Sequence, residues 1–427
     1  MAQDFSSHTA HAHGLNRFID ASPSPFHVVE TATQMLDAAG FQPVRPGTAT
    51  SGGRFYSASG GALVAWVVPN SVGTSLPFRI VGAHTDSPNL RLKPNPEADA
   101  YGYRRLGVEV YGGVLLNSWL DRDLGLSGRI AVRGSNGPEQ LLVKIDQPML
   151  RVPQLAIHLD REISDKGLLL NRQHHLGPIF GLGGPDAAGI WDVVSDSTGV
   201  ASADIVGADL MLHDTQGSQL IGLDQEFISA PRLDNQLSCH AALTAIAGIS
   251  SSDAIAMVAM FDHEEVGSVS ATGAASAYLG RLLSAITEGL GGSASDHAVA
   301  LSESMFISAD NAHATHPNYP ERHEPAHHIA LNAGPVLKHN ANQRYTTNAM
   351  TEGMFRLAAE RAGVSTQAFV NRTDMGCGST IGPTVSALLG VQSLDIGCPQ
   401  LAMHSCRELA GTYDPWDMTL LIAELLR

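Results

Sequence analysis

The run Ala256-Met257-Val258-Ala259-Met260-Phe261 carries no charge and stops at Asp262-His263-Glu264-Glu265. A short apolar run that breaks at a polar turn reads as a strand, and the chain repeats this arrangement. Arg79-Ile80-Val81-Gly82-Ala83 ends at His84-Thr85-Asp86, Met305-Phe306-Ile307-Ser308 leads into Asp310, and Leu401-Ala402-Met403 leads into His404. Asp234, in Pro231-Arg232-Leu233-Asp234-Asn235, stands just ahead of a helical pattern. After Pro231, helices (Asn235 to Ile249, Ala274 to Leu290) alternate with strands (Ala254 to Phe261, Met305 to Ser308, Ala368 to Asn371, Ser393 to Ile396). This alternation predicts an α/β core with a mostly parallel sheet. Ligands of such sheets bind outside the carboxyl ends of the strands, where these His, Asp and Glu side chains would meet in one crevice.

Ahead of that core, Leu15 to Ala39 reads as two helices separated by Ser22-Pro23-Ser24-Pro25, and Ala62 to Val68 and Phe78 to Val81 read as strands. The texture changes from about Asp99 to Asp209, where Val108-Glu109-Val110-Tyr111, Gly128 to Val132 and Leu141 to Ile145 suggest a β-rich insert. The histidines within Thr9 to His13 are expected in a frayed terminus. At 427 residues there is room for two or three domains. The 42 acidic against 26 basic residues, a formal charge of −16, argue against nucleic acid or an anionic membrane as partner. The most apolar window, Ala241 to Phe261, is broken by Ser250-Ser251-Ser252-Asp253, so no membrane span and a cytoplasmic location are expected. Cys239, Cys377, Cys398 and Cys406 form no CxxC pair, which leaves His and carboxylates as the metal ligands on offer.

Imidazole and carboxylate suit zinc, and a carboxylate can bridge two ions. Asp234 as the bridge would let one zinc take His84 and Asp310 and the other take Glu265 and His404, with a water shared between them. Such a pair polarises a carbonyl and lowers the pKa of bound water to about 7. Of the adjacent glutamates, Glu265 would ligate and Glu264 would act as general base and acid. Asp86 would accept from the free imidazole nitrogen of His84 and fix its tautomer. Singly, each residue is also explained as a cap or turn acceptor, Asp234 as a helix N-cap for instance. Their combination at successive strand ends points to a dinuclear hydrolytic site. No HExxH, GxSxG or GxxxxGK motif competes, and the glycines around Gly376-Cys377-Gly378 do not keep dinucleotide-binding spacing.

Along nearly its whole length the sequence resembles the M18 metallopeptidases, the aspartyl aminopeptidases. The matching segments include Ser22-Pro23-Ser24-Pro25-Phe26-His27, Gly82 to Pro88, Tyr111-Gly112-Gly113, Trp119 to Leu124 and Leu155-Ala156-Ile157-His158-Leu159. Further on come Ala230 to Asn235, Asp262 to Ser268, Ala309 to Ala314, Gly334 to Lys338, Gln343-Arg344-Tyr345, Cys377 to Pro383 and Gln400 to Ser405. The resemblance implies two zinc ions on His84, Asp234, Glu265, Asp310 and His404, with Glu264 as catalytic acid and base; manganese and cobalt tolerate similar ligands and are the possible substitutes. It implies a three-layer α/β/α zinc-peptidase catalytic domain, residues 1–96 and 209–427, interrupted by a β-rich dimerisation domain, residues 97–208. It also implies a homo-oligomer, a tetrahedral dodecamer built from dimers. The substrates would be peptides with a free N-terminus, preferably Asp or Glu. By the same resemblance Lys338 would receive the acidic side chain, Tyr345 and His313 would stand at the scissile group, and His158 would enter a neighbouring subunit's site. The alternatives are a dizinc carboxypeptidase or N-acyl deacylase, and a non-catalytic shell or cargo protein of the same fold.

Overall fold

The computed structural model describes residues 5–45, 52–69, 73–184, 187–250 and 252–427. Among these, nine strands form one sheet in the order Gln42–Pro43, Gly53–Ser59, Ala62–Val68, Ile255–Phe261, Phe78–His84, Met305–Ala309, Gln392–Gly397, Val336–His339, Gln367–Val370. The four strands from Ile255–Phe261 to Gln392–Gly397 run parallel, so their carboxyl ends share one edge.

Alternate side chains of these strands enter two different cores, as the two-residue period requires. Val81, Ala83, Val258, Met260, Ile307 and Ala309 pack against helices Phe5–Ala21, Pro25–Ala38, Leu233–Ala247, Ala349–Ala362 and Asp414–Leu425. Ile80, Met257, Ala259, Phe261 and Phe306 face helices Tyr278–Gly289 and Ile381–Leu389 on the other side. The result is the expected α/β/α layering. Gly82 is required within it, because a Cβ there would lie 2.2 Å from the Phe306 ring.

The β-rich middle, with the strands leading into and out of it, forms a six-stranded sheet in the order Gly137–Leu150, Leu124–Gly134, Ile205–Asp214, Asn89–Glu97, Tyr103–Tyr111, Ile179–Leu182. Its pairings are antiparallel, and it has its own core around Leu90, Leu106, Leu126, Ile130 and Leu212. A five-stranded sheet, in the order Gln219–Ile221, Phe227–Ala230, Glu408–Gly411, Pro399–Leu401, Ala312–His313, lies where the chain approaches the strand ends.

The N-terminal histidines depart from expectation. Thr9 to His13 lies inside helix Phe5–Ala21, and His8 and His11 are buried. His8 Nε2 is 3.1 Å from Asp417 Oδ1, and the His11 ring lies tilted against His240 and Trp416, with centroids 4.7 Å and 5.3 Å away. Imidazoles satisfied by a carboxylate and by neighbouring rings can enter a core that their polarity alone argues against. All four cysteines are free thiols. Among the described residues, no helix is long and apolar enough to cross a membrane.

Candidate active site

His84 is the last residue of its strand and Asp310 follows Met305–Ala309 directly. Glu264 and Glu265 form the turn after Ile255–Phe261, entered through His263 at φ 64°. Asp234 follows Arg232 at φ 54°, and His404 itself stands at φ 67° in the loop after Pro399–Leu401. These left-handed residues turn the chain sharply where each strand gives out, so that the side chains point inward to one place.

Asp234 faces both imidazoles with a different oxygen for each. His84 Nε2 lies 3.3 Å from Asp234 Oδ1 and 3.7 Å from Asp310 Oδ1; His404 Nε2 lies 3.2 Å from Asp234 Oδ2 and 3.3 Å from Glu265 Oε1. The donor atoms of His84, Asp234 and Asp310 fall within 4.8 Å of one another, as do those of Asp234, Glu265 and His404. A third such group joins His84 to Glu264 and Glu265.

Three observations fit these residues to a pair of cations. Asp234 Oδ1 and Glu265 Oε1 are buried acceptors without a hydrogen-bond partner, a costly state unless something else meets them. Both imidazoles are oriented from behind: Nδ1 of His84 donates to the carbonyl of Asp86 at 3.0 Å and Nδ1 of His404 donates to the carbonyl of Gly113 at 3.1 Å. That tautomer leaves each Nε2 lone pair for a metal. Lastly, burial pushes the Glu264 carboxyl up to about 8 against the pull of His84, with Asp310, Glu265 and Asp86 adding to the rise. Burial likewise raises Glu265 to about 7. Acidic charge is concentrated here beyond what the local bases offset, and divalent cations would neutralise it.

Asp86 is fully buried and does more than the sequence suggests. Its carboxylate is 3.5 Å from His84 Nδ1, farther than its own carbonyl. The carboxylate instead accepts the main-chain N–H groups of Glu264 and Glu265, each at 3.1 Å, and the Tyr111 hydroxyl at 2.7 Å. On the far side of the centre, Glu408, which sequence reasoning passes over, accepts the N–H groups of Asp234 and His404. The insert also reaches the ligands: a Cβ on Gly112 would lie 3.1 Å from Glu265 Cβ, and one on Gly113 would lie 3.1 Å from His404 Nδ1.

A cavity of about 630 Å³ opens on this cluster, lined by His84, Asp234, Glu264, Glu265, Asp310 and His404 and, opposite them, by His313, Lys338, Tyr345 and Phe369. Lys338 is 2% exposed. Its ammonium lies 4.0 Å from Asp310 Oδ2 and 5.3 Å from the Tyr345 ring centroid. The Tyr345 ring stands edge-on to Phe369, and burial raises its hydroxyl pKa. His313 is exposed at the end of its short strand. His158 is not brought to this cavity; it sits exposed in a turn of the insert.

A family model described as aminopeptidase I zinc metalloprotease (M18) matches residues 18–424. The chain is 47% identical to a probable M18 family aminopeptidase 2 of Streptomyces coelicolor over 415 residues, 95% of each chain. It is 49% identical to the protein of the same description from Mycobacterium tuberculosis, again over 95% of each. Among solved structures, that of the Ape4 and Nbr1 complex is similar with a TM-score of 0.96 at 35% identity, covering 100% of this chain and 87% of that one. The S. cerevisiae mApe1 dodecamer is similar with a TM-score of 0.85 at 26% identity, covering 98% and 96%.

Proposed function

Because the chain belongs to the M18 family of zinc aminopeptidases, we propose that it releases N-terminal Asp or Glu from peptides at a dizinc centre. His84, Asp234, Glu265, Asp310 and His404 would hold the two zinc ions, with Asp234, whose oxygens face both imidazoles, common to the two. When bound, the ions supply Lewis acidity for the scissile carbonyl and make water nucleophilic at neutral pH. Glu264 takes the proton from the attacking water and returns it to the departing amine nitrogen. Tyr345 and His313 donate to the oxygen on which charge develops. Asp86 holds the turn that aims Glu264.

One observation carries the acidic preference. Among the described residues the Lys338 ammonium, almost wholly buried, makes no hydrogen bond while facing the cavity. Asp310 Oδ2 stands 4.0 Å away, beyond hydrogen-bond reach, so a substrate carboxylate would supply the hydrogen-bonding partner through a charge-assisted contact. We further assign residues 97–208 to a dimerisation domain. On this reading His158, exposed on that domain, would enter a neighbour's cavity in a homo-oligomer, a tetrahedral dodecamer built from dimers.

The test is a panel of peptides with N-terminal Asp, Glu, Leu or Lys, free and N-acetylated, before and after chelation and with zinc, manganese or cobalt restored. Expected are preference for free Asp and Glu peptides, loss of turnover with chelator and recovery with metal. Cleavage of the acetylated peptides in preference to the free ones would indicate a deacylase instead. Turnover indifferent to chelator would overturn the dizinc reading.

A further inference from the structure

Glu408 opens strand Glu408–Gly411 and pairs with Ala230, four residues before Asp234. It is 3% exposed and does not line the cavity, so it cannot touch a substrate there. Its two oxygens meet two main-chain donors from distant parts of the chain: Oε2 accepts from the N–H of Asp234 at 2.9 Å and Oε1 from the N–H of His404 at 2.7 Å. Gln400 Nε2 donates to the same Oε1 at 3.4 Å, while Gln400 Oε1 accepts from Asn311 Nδ2 at 2.8 Å. Asn311 Nδ2 also donates to the carbonyl of Leu233 at 2.8 Å. The side chains of Asn311, Gln400 and Glu408 thus join the segments that bear Asp310, Asp234 and His404.

His404 occupies the left-handed region, which a residue with a Cβ holds only when its surroundings impose it. The bond from its N–H to Glu408 is one such constraint. A carboxylate suits this post because both its oxygens accept. Glutamine would turn an NH2 group toward one of the two N–H donors and leave that donor unmet.

We propose that Glu408 is a positioning residue which sets the metal affinity of the centre by fixing the backbones of Asp234 and His404 together. This rests on the ligand assignment above. The two residues would hold one cation from distant segments of the chain, so loosening either backbone would widen that half of the centre. Groups that orient metal ligands from behind change affinity by about 10- to 100-fold when removed.

The test compares Glu408→Gln, Gln400→Met and His404→Ala with wild type in the full chain. Two quantities are read: zinc retained per chain against graded chelator, and the melting temperature of the zinc-stripped protein. Glu408→Gln is expected to shed zinc at about 10- to 100-fold lower chelator activity, with the stripped protein still folded and melting only a few degrees lower because one buried N–H is left unmet, and excess zinc should restore its kcat. Gln400→Met should move retention the same way by less, and it decides the matter should Glu408→Gln not fold. Wild-type zinc retention in Glu408→Gln, beside loss of an ion in His404→Ala, would sink the role of Glu408 and leave the ligand assignment standing. Full retention in His404→Ala would remove both.

Discussion

The carboxylate of Asp86 accepts the main-chain N–H of Glu264 at 3.1 Å, so the residue after the first histidine's neighbour governs the turn on which the proposed base sits. Its second oxygen serves Glu265 and the Tyr111 hydroxyl. Asp86→Ala strands two N–H donors in a buried place and should cost about 10- to 100-fold in zinc affinity or turnover. Tyr111→Phe, which removes only one donor from the carboxylate, should cost less. Steady-state kinetics and zinc content together separate these outcomes.

Glu264→Gln keeps the size of the side chain and removes its proton-accepting oxygen. Turnover should fall about 100- to 10,000-fold, the usual range for loss of a general base, with zinc content and assembly intact. Peptide hydrolysis measured beside metal analysis checks this.

Lys338→Met should erase the preference for acidic N-termini while leaving a similar apolar volume. A hydrogen bond to a charged group contributes about 1.5–3 kcal/mol, so kcat/KM for an N-terminal Asp peptide should fall about 10- to 100-fold. The value for Leu should change little. Equal losses on both substrates would assign Lys338 a structural role only.

Acid should destabilise the chain through His11. Burial, with His8 adding, lowers its pKa from 6.5 to about 4; its ring meets His240, Trp416 and the Thr419 hydroxyl. Between these values the unfolded chain binds a proton that the folded chain refuses, so stability is full above pH 6.5 and is lost as pH falls toward 4. From pH 7 to pH 5 this single group should cost about 2 kcal/mol. Urea unfolding at the two pH values should show a smaller difference in His11→Gln than in wild type.

The central strands are legible in the sequence because Ile255–Phe261 and Phe78–His84 are apolar runs with abrupt polar ends, and the helices beside them follow by alternation. The clustering of His84, Asp234, Glu264, Glu265, Asp310 and His404 is legible for the same reason: their positions at strand ends imply a shared edge. Strand Val336–His339 is not, since Lys338 interrupts a very short run and only the burial of that charge in the fold reveals the strand. Helix Phe5–Ala21 is legible only from Leu15 onward; its first half is obscured by histidines, of which His8 and His11 find partners some 400 positions away. Glu408 offers no signal at all, as its meaning resides in two backbone groups that only tertiary structure brings near.

The close approach of the Gly112-Gly113 backbone to Glu265 and His404 bears on how such a chain could have been assembled and how it can be re-engineered. The inserted segment supplies the carbonyl that holds the His404 ring, so it is no detachable cassette. Excising it, or grafting the equivalent piece of a distant relative, would disturb the reaction centre along with any surface for association. Leu115 N–H also donates to the His404 carbonyl and the Ser118 hydroxyl accepts from Cys406 N–H, so chimeras meant to alter assembly alone should be joined beyond Ser118.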